Sequence, residues 1–348
     1  VETHLDRLTA ARAELARPHP SGKLTCVACA HRCKLSEGAR GVCLVRARAG
    51  AALRVPWGYT AGAAVDPVEK KPFFHLLPGA RALSFGMLGC DMHCAYCQNW
   101  VTSQTLRDPE ASERAQPVSP QRLVDAARGH GCRIVTSTYN EPLITAEWAH
   151  DVFVRARADG LVTSFVSNGH ATEEALDYLA PVLDACKVDL KAFSQKTYAA
   201  LGGTLAAVLD SIRGLVARGI WVEVVTLVVP GLNDSDAELG EIAGFLAGVS
   251  CDIPWHVTAF HPDYRMTGPP RTPAATLARA AAIGERAGLR FVYAGNLPGR
   301  VGALEDTRCP ACRTVLVRRD GFSVLECRLG AAGACPECGS AVPGVWAR

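Results

Sequence analysis

From residue 82 to residue 293, short apolar runs alternate with amphipathic stretches, and that alternation limits the possible folds more than any other feature of the chain. The strand candidates are residues 82–85, 133–139, 162–167, 185–190, 221–229, 256–260 and 290–293. Between them lie helical patterns over residues 120–131, 144–158, 173–183, 208–218, 236–247 and 274–287. Repeated strand–helix units predict an α/β fold with a parallel sheet and helices outside it. In a barrel of this type, functional side chains gather at the C-terminal ends of the strands. Polar residues do cluster there. Tyr139-Asn140-Glu141-Pro142 ends the second strand, Ser167-Asn168-Gly169 the third and Asp189-Leu190-Lys191 the fourth. Pro230-Gly231-Leu232-Asn233-Asp234 follows the fifth and Phe260-His261-Pro262 the sixth. One such group reads equally well as a turn or a helix cap. Five in succession point to a site, and Asp189 and Lys191 are costly near a core unless paired or bound to a ligand.

Directly after the first strand, Cys90, Cys94 and Cys97 stand with three and then two residues between them. A short loop can bend three thiolates at that spacing onto three irons of a cubic iron–sulfur cluster. No fourth cysteine follows at cluster spacing, so one iron keeps a position for a ligand, the logic of a catalytic zinc. A zinc knuckle and buried free thiols are the alternatives, and three-plus-two spacing behind a strand is unusual for zinc.

The chain has 15 cysteines, and their grouping in short-spaced clusters predicts metal binding in a reducing, cytoplasmic compartment and not secreted disulfides. Cys26, Cys29, Cys33 and Cys43 can close a tetrahedral site or hold a second cluster, with Gly38 and Gly41 allowing a tight turn and His31 able to replace one thiol. Zinc, iron and a cluster all stay open there. Near the end, Cys309-Pro310-Ala311-Cys312 and Cys335-Pro336-Glu337-Cys338 flank two strand-like runs, residues 314–319 and 322–327, joined by Asp320-Gly321. That pair signals a hairpin. Two knuckles on a hairpin read as a zinc ribbon or a rubredoxin-like iron site whose metal supplies stability, with zinc preferred. Cys132, Cys186, Cys251 and Cys327 read as small buried residues.

With 348 residues and 49% hydrophobic content, the chain is long enough for one large core plus appendages. A net charge of +3 without a basic run excludes nucleic acid as an obvious partner. The most apolar run, residues 221–229, is broken by Glu223 and is too short to span a bilayer, so no membrane is expected. The opening residues read as a polar helix over 3–16, capped through Thr3 and Asp6, with Leu5, Leu8 and Leu15 on one face, and not as a signal peptide. Residues 53–80 are rich in Gly, Pro and aromatics, and irregular segments of this kind often lie across a scaffold and carry function. His75, alone between apolar residues, reads first as a packed histidine.

The cysteine loop and the strand-end residues together resemble the radical S-adenosylmethionine (SAM) superfamily. The resemblance implies that the amino and carboxylate groups of SAM chelate the open iron of a [4Fe-4S] cluster. One electron then breaks the bond to C5′, and a 5′-deoxyadenosyl radical abstracts a hydrogen atom. It also implies a partial (β/α)6 barrel over residues 81–300, after a Cys-rich segment over 1–80 and before the metal-binding hairpin over 301–348. By the same resemblance, Asn140 and Glu141 bind the SAM amino group, and Ser167 and Asn168 its methionine or ribose part. Asp189 and Lys191 resemble the Asp-x-Lys of glycyl-radical-enzyme activating proteins, whose lysine pairs with the SAM carboxylate. Pro230-Gly231 resembles the adenine platform, Tyr96 lies against the adenine edge and His261 near the ribose.

The four-cysteine segment, Asp66-Pro67-Val68-Glu69-Lys70-Lys71-Pro72, the Gln98-Asn99-Trp100 that follows the cysteine loop, and Trp255-His256-Val257-Thr258-Ala259-Phe260-His261-Pro262 are similar to one subgroup. It is the radical SAM protein of the AmmeMemoRadiSam system, related to pyruvate formate-lyase activating enzymes. That implies Memo-like and AMMECR-like partners, a flavodoxin or ferredoxin reductant, and a protein, peptide or small-molecule substrate of no settled identity. Candidates for acting on the substrate are His75, His261 and Tyr264, with Glu69 and Lys70 beside them. One alternative is a glycyl-radical-enzyme activating enzyme, against which Val166 stands where those proteins usually have an acid. The other is a non-catalytic, metal-stabilised adaptor.

Overall fold

The computed structural model describes residues 8–330 and 332–347. Seven parallel strands form the centre in simple sequential order: β2 (Arg81–Gly86), β3 (Ile134–Ser137), β4 (Val162–Ser167), β5 (Ala185–Asp189), β6 (Trp221–Val228), β7 (Trp255–Ala259) and β8 (Val292–Gly295). An antiparallel strand, β1 (Gly62–Pro67), pairs with β2 and completes an eight-stranded open sheet. All seven strand candidates are present, the last shifted from 290–293 to Val292–Gly295 and in register with β7 from Trp255↔Val292 to Thr258↔Gly295; the sheet exceeds the six strands that the resemblance implied and adds the edge strand β1. Gly62-Ala63-Ala64 carries no bulky apolar residue, so β1 gives no strand signal. It lies before residue 80 and yet belongs to the central sheet.

Helices cross over between the strands: α1 (Pro120–Gly129), α2 (Ala146–Ala158), α3 (Glu173–Leu179), α4 (Gln195–Leu201), α5 (Leu205–Ala217), α6 (Asp236–Val249) and α7 (Ala274–Arg286). Their starts are set locally. Ser119, Thr172 and Ser235 each accept a backbone N–H three residues on, satisfying a donor that the first helical turn leaves free. The unanticipated α4 begins at a Ser194 cap and stops at Gly202, whose φ of +83° is left-handed. Among the described residues no single helix is long and apolar enough to cross a membrane; the bent pair α4–α5, which passes by composition only, turns through 96°.

The segment expected to open as a helix is a strand where it is described. Thr9–Arg12 pairs antiparallel with Ala52–Pro56, whose Leu53 and Val55 are fully buried, and pairing of that kind overrides a weak local propensity. Thr3, Leu5 and Asp6 lie outside the described residues. A buried bidentate ion pair fastens this N-terminal β region to the helices of the central sheet: Arg46 Nη2 and Nη1 lie 2.6 and 2.7 Å from the two oxygens of Glu147 on α2. Cys132 and Cys186 are buried as expected, whereas Cys251 and Cys327 are exposed, one in a turn after α6 and the other at the end of a hairpin strand.

The C-terminal hairpin, β9 (Val315–Asp320) and β10 (Ser323–Cys327), packs beside β8. Its Leu316 joins Phe74, Phe291, Tyr293 and Val342 in one apolar cluster. At the same end of the sheet, fully buried Glu223 accepts the backbone N–H groups of Phe74 and His75 and the imidazole N–H of His256, the last at 2.7 Å. Burial alone would raise the Glu223 carboxyl, but the hydrogen bond and charge of His256 hold it below its ordinary value of 4.5. A depressed folded value means that the contribution to stability is complete above pH 4.5 and declines as the pH falls. We expect Glu223→Ala to lower unfolding free energy by about 3 kcal/mol in urea titrations at neutral pH, since it strands several buried donors. The gap between variant and wild type should narrow in acidic buffer.

Candidate active site

Tight backbone contacts place the cysteine loop over the sheet. A Cβ on Gly86 would lie 2.6 Å from Thr138 O, and Gly89 adopts a left-handed φ of +94°. Beyond these glycines Cys90, Cys94 and Cys97 line a single cavity of about 430 Å³. Burial pushes all three thiols up, Cys94 to about 11, so they resist ionising unless a cation pairs with them. Their sulfurs meet polar groups: Met92 N–H is 3.4 Å from Cys90 Sγ, and Ser103 Oγ is 3.2 Å from Cys97 Sγ. Buried thiols, polar neighbours and adjacent space suit an iron–sulfur cluster with room for a further ligand.

The strand ends supply the walls. Fully buried Glu141 accepts Ser167 Oγ–H and Asn168 N–H, both at 2.7 Å, and Leu143 N–H at 3.0 Å. Burial, and then the charge of Asp91, push Glu141 up to about 8, while those donors pull the other way. Asn140 Oδ1 accepts Met87 N–H at 2.9 Å, holding the start of the loop. On β5, Asp189 hydrogen-bonds Lys187 Nζ on one oxygen and lies 3.2 Å from Lys191 Nζ on the other. Burial opposes its ionisation, but the two ammonium groups bring it down to about 2. Tyr96, Asn140, Glu141, Ser167, Asn168, Asp189 and Lys191 all line the cavity that holds the cysteines.

Other anticipated residues stand elsewhere. Pro230 and Gly231 are outside the lining; Gly231 N–H donates to Asp234 in the turn after β6. His261 reaches the cavity only through Gln98, 3.1 Å away. Tyr264 is also off the lining, stacked on Trp100 and donating its hydroxyl to Asp108 at 2.7 Å. His75 is packed, as its apolar neighbours suggest, and its place among the residues acting on substrate is corrected: it is fully buried under the C-terminal hairpin, where Nδ1–H donates to Pro343 O and Nε2 accepts from Tyr293. Burial takes it down to about 4, so it is neutral and away from the cavity. Glu69 is likewise buried away from the lining, against Arg319.

The sequence reading assigned no role to Lys71, Lys187, Asn296 and Phe322, nor to Tyr139 within its strand-end group, and all five line the cavity. Lys187 was findable, since it alternates with Asp189 on one face of a strand that is otherwise apolar. Tyr139 carries a left-handed φ of +71°, which no local pattern announces. It also missed fully buried Asp91, which accepts Asn168 Nδ2–H at 2.7 Å and pairs with His170 Nδ1 at 3.0 Å.

Two further cysteine groups are distinct in geometry. The Sγ atoms of Cys309, Cys312, Cys335 and Cys338 lie within 4.8 Å of one another, the compactness a single metal ion needs. In the N-terminal region a Cβ on Gly41 would sit 3.5 Å from Cys33 Sγ and 3.7 Å from Cys43 Sγ. Arg46 Nε donates to Cys26 Sγ at 3.2 Å, and Cys29 Sγ lies within 4.8 Å of ligand atoms on Asp91 and His170. His31 turns its Nε2 to Asp91 O at 3.1 Å.

Residues 86–245 match the family model of the Radical SAM superfamily. An uncharacterized protein of Methanocaldococcus jannaschii is 35% identical over 323 residues, covering 92% of this chain and 95% of its own. The pyruvate formate-lyase 1-activating enzyme of Escherichia coli (strain K12) is 27% identical over 232 residues, 62% of this chain and 93% of that one. Among solved structures, a radical SAM methyltransferase from Sphaerobacter thermophilus aligns with a TM-score of 0.50 at 15% identity, covering 88% of this chain and 81% of that chain. That last likeness is one of fold.

If the compact C-terminal thiols hold one ion, Cys335→Ser should lose about one equivalent of metal per chain and melt several degrees lower. Elemental analysis and calorimetry read the two effects. Metal content equal to wild type would contradict a mononuclear four-thiolate site.

Proposed function

We propose that this chain, which belongs to the radical SAM superfamily, cleaves SAM reductively and abstracts a hydrogen atom from a substrate yet to be identified. When bound, a [4Fe-4S] cluster and SAM supply the one-electron chemistry that generates a 5′-deoxyadenosyl radical. The observation that carries the reading is convergence: three loop thiols and the polar ends of β3, β4 and β5 face one cavity.

Each group of residues has a physical task in that reading. Cys90, Cys94 and Cys97 hold the cluster. Lys187 and Lys191 share the single carboxylate of Asp189, which leaves one positive charge in excess to meet the carboxylate of SAM. Glu141 has oxygen lone pairs beyond its three accepted bonds, enough to receive the SAM ammonium. Ser167 and Asn168, held by Glu141, meet the methionine or ribose part, and Tyr96, on the same lining, meets the adenine edge. Pro230 and Gly231, outside the lining, are left out of this set.

The run of motifs shared with the AmmeMemoRadiSam subgroup supports Memo-like and AMMECR-like proteins as partners and a flavodoxin or ferredoxin as reductant. Zinc suits the four C-terminal thiolates, whereas the sulfurs of Cys26, Cys29, Cys33 and Cys43 are not gathered within the same 4.8 Å, which favours a second cluster over a single zinc ion there. A glycyl-radical-enzyme activating role is the second reading; Asp189-Leu190-Lys191 and the 27% identity to such an enzyme favour it, and Val166 counts against it. A doublet radical signal on mixing with a glycyl radical enzyme would select that role. Family membership sets aside the non-catalytic adaptor.

Anaerobic reconstitution followed by dithionite and SAM should yield 5′-deoxyadenosine by liquid chromatography. Cys94→Ala should abolish both the cluster absorbance and that product; product at the wild-type rate would overturn the reading. Lys191→Met should weaken SAM binding about tenfold in equilibrium dialysis, the loss of one charge-assisted contact.

A further inference from the structure

Two more lysines that line the cavity share a second aspartate, Asp66, which stands behind the lining, and SAM has only one carboxylate. Lys70 Nζ lies 2.8 Å from one oxygen of Asp66 and Lys71 Nζ lies 3.0 Å from the other, so this corner too carries one positive charge in excess. Asp66 pairs with Ala82 near the start of β2, whereas the cysteine loop follows that strand's other end at Gly86. Lys71 is 5% exposed yet lines the cavity. Its ammonium has three N–H groups. Two of them meet Asp66 and the Tyr139 hydroxyl, the latter at 3.3 Å, and one is left for a ligand.

Strain and packing support the same corner. Tyr139 is held in the left-handed region and its ring lies 5.0 Å from Lys71 Nζ, a cation–π contact that fixes the ammonium. The turn bearing Lys70 is fixed from behind, because Glu69 accepts Gly79 N–H at 2.9 Å and lies 3.6 Å from Arg319 on β9. Three residues beyond Arg319, at the hairpin turn, Phe322 lines the cavity and is 45% exposed. Pro72 adds a second apolar surface on the same lining.

We propose that Lys70, Lys71 and Phe322 form the substrate subsite, which takes a molecule bearing a carboxylate or phosphate next to an apolar or planar part. The anionic group meets the free N–H of Lys71 and the exposed ammonium of Lys70, and the apolar part rests on Phe322 and Pro72. This assignment rests on the radical SAM reading, in which the Asp189 corner is taken by SAM.

Isothermal titration calorimetry of the reconstituted full chain, saturated with S-adenosylhomocysteine and without reductant, tests it with phenyl phosphate and benzoate as probes. At least one probe should bind the wild type, and the stronger of the two identifies the anion. Lys71→Met should weaken it about tenfold, Lys71→Arg should restore much of the loss, and Lys70→Met and Phe322→Ala should each weaken it about threefold. Should Lys71→Met fail to fold, the more exposed Lys70 and Phe322 variants decide. Binding unchanged in both, no binding of either probe to wild type, or one-for-one release of S-adenosylhomocysteine by the probe would overturn the proposal. Failure of the wild type to cleave SAM is a separate result and would count against the function itself.

Discussion

Glu141 is the carboxylate on which the site is assembled. It stands at the end of β3, fully buried, and draws in Ser167 and Asn168 from the end of β4. Asn168 passes the restraint to Asp91 in the cysteine loop, and Asp91 passes it to His170. His170 O in turn accepts Ala30 N–H from the N-terminal β region. One continuous chain of polar contacts thus registers two strands, the cysteine loop and the appended region against each other. Burying charge in such a place is costly unless partners are supplied, and the contacts named here supply them to Glu141, Asn168 and Asp91, while His170 bonds through Nδ1 and leaves its buried Nε2 without a partner. Loss of a single member leaves the others buried and unpaired.

A second network does the same work at the opposite end of the sheet. Glu223 and His256 tie β6 and β7 to residues 74–75, while Arg319 donates to Phe74 O and Thr307 and faces Glu69. The open sheet has two edges, β1 and β8. Residues 68–80 and the C-terminal hairpin pack between them, the segment through β1 and the hairpin through β8. That is why Phe322, remote in sequence from every strand end, shares a cavity with Cys90.

The parallel strands were legible because strands covered on both faces read as continuous apolar runs, and the cysteine loop because its spacing has few physical uses. Interruptions of those runs by Lys187, Asp189 and Glu223 mark the Asp189 corner and the Glu223 network, though only Asp189 was singled out for chemistry. What stayed hidden depends on partners distant in sequence. Thr9–Arg12 is a strand through its pairing with Ala52–Pro56 alone. The apolar neighbours of His75 suggest packing, but nothing local shows that Pro343 and Tyr293 occupy both of its nitrogens. Cys251 and Cys327 follow a statistical preference for burial that their turn and hairpin positions do not honour.

Charge balance links the cysteine loop to the Asp189 corner. Binding a cluster requires three buried thiols to lose protons, and burial is the main force against it. At Cys94 the next influence is the charge of Lys191, which favours the thiolate, and Lys191 acts on Cys97 in the same direction. Asp189 works against both thiolates, yet without it two ammonium groups would be buried side by side on β5. Two lysines around one aspartate hold Lys191 charged and in place beside Cys94 and Cys97, whereas the charges acting on Cys90 are the anions Asp91 and Glu141. The end of β5 therefore favours the thiolate form at two of the three cysteines, which their spacing alone would leave in a pocket that resists ionisation.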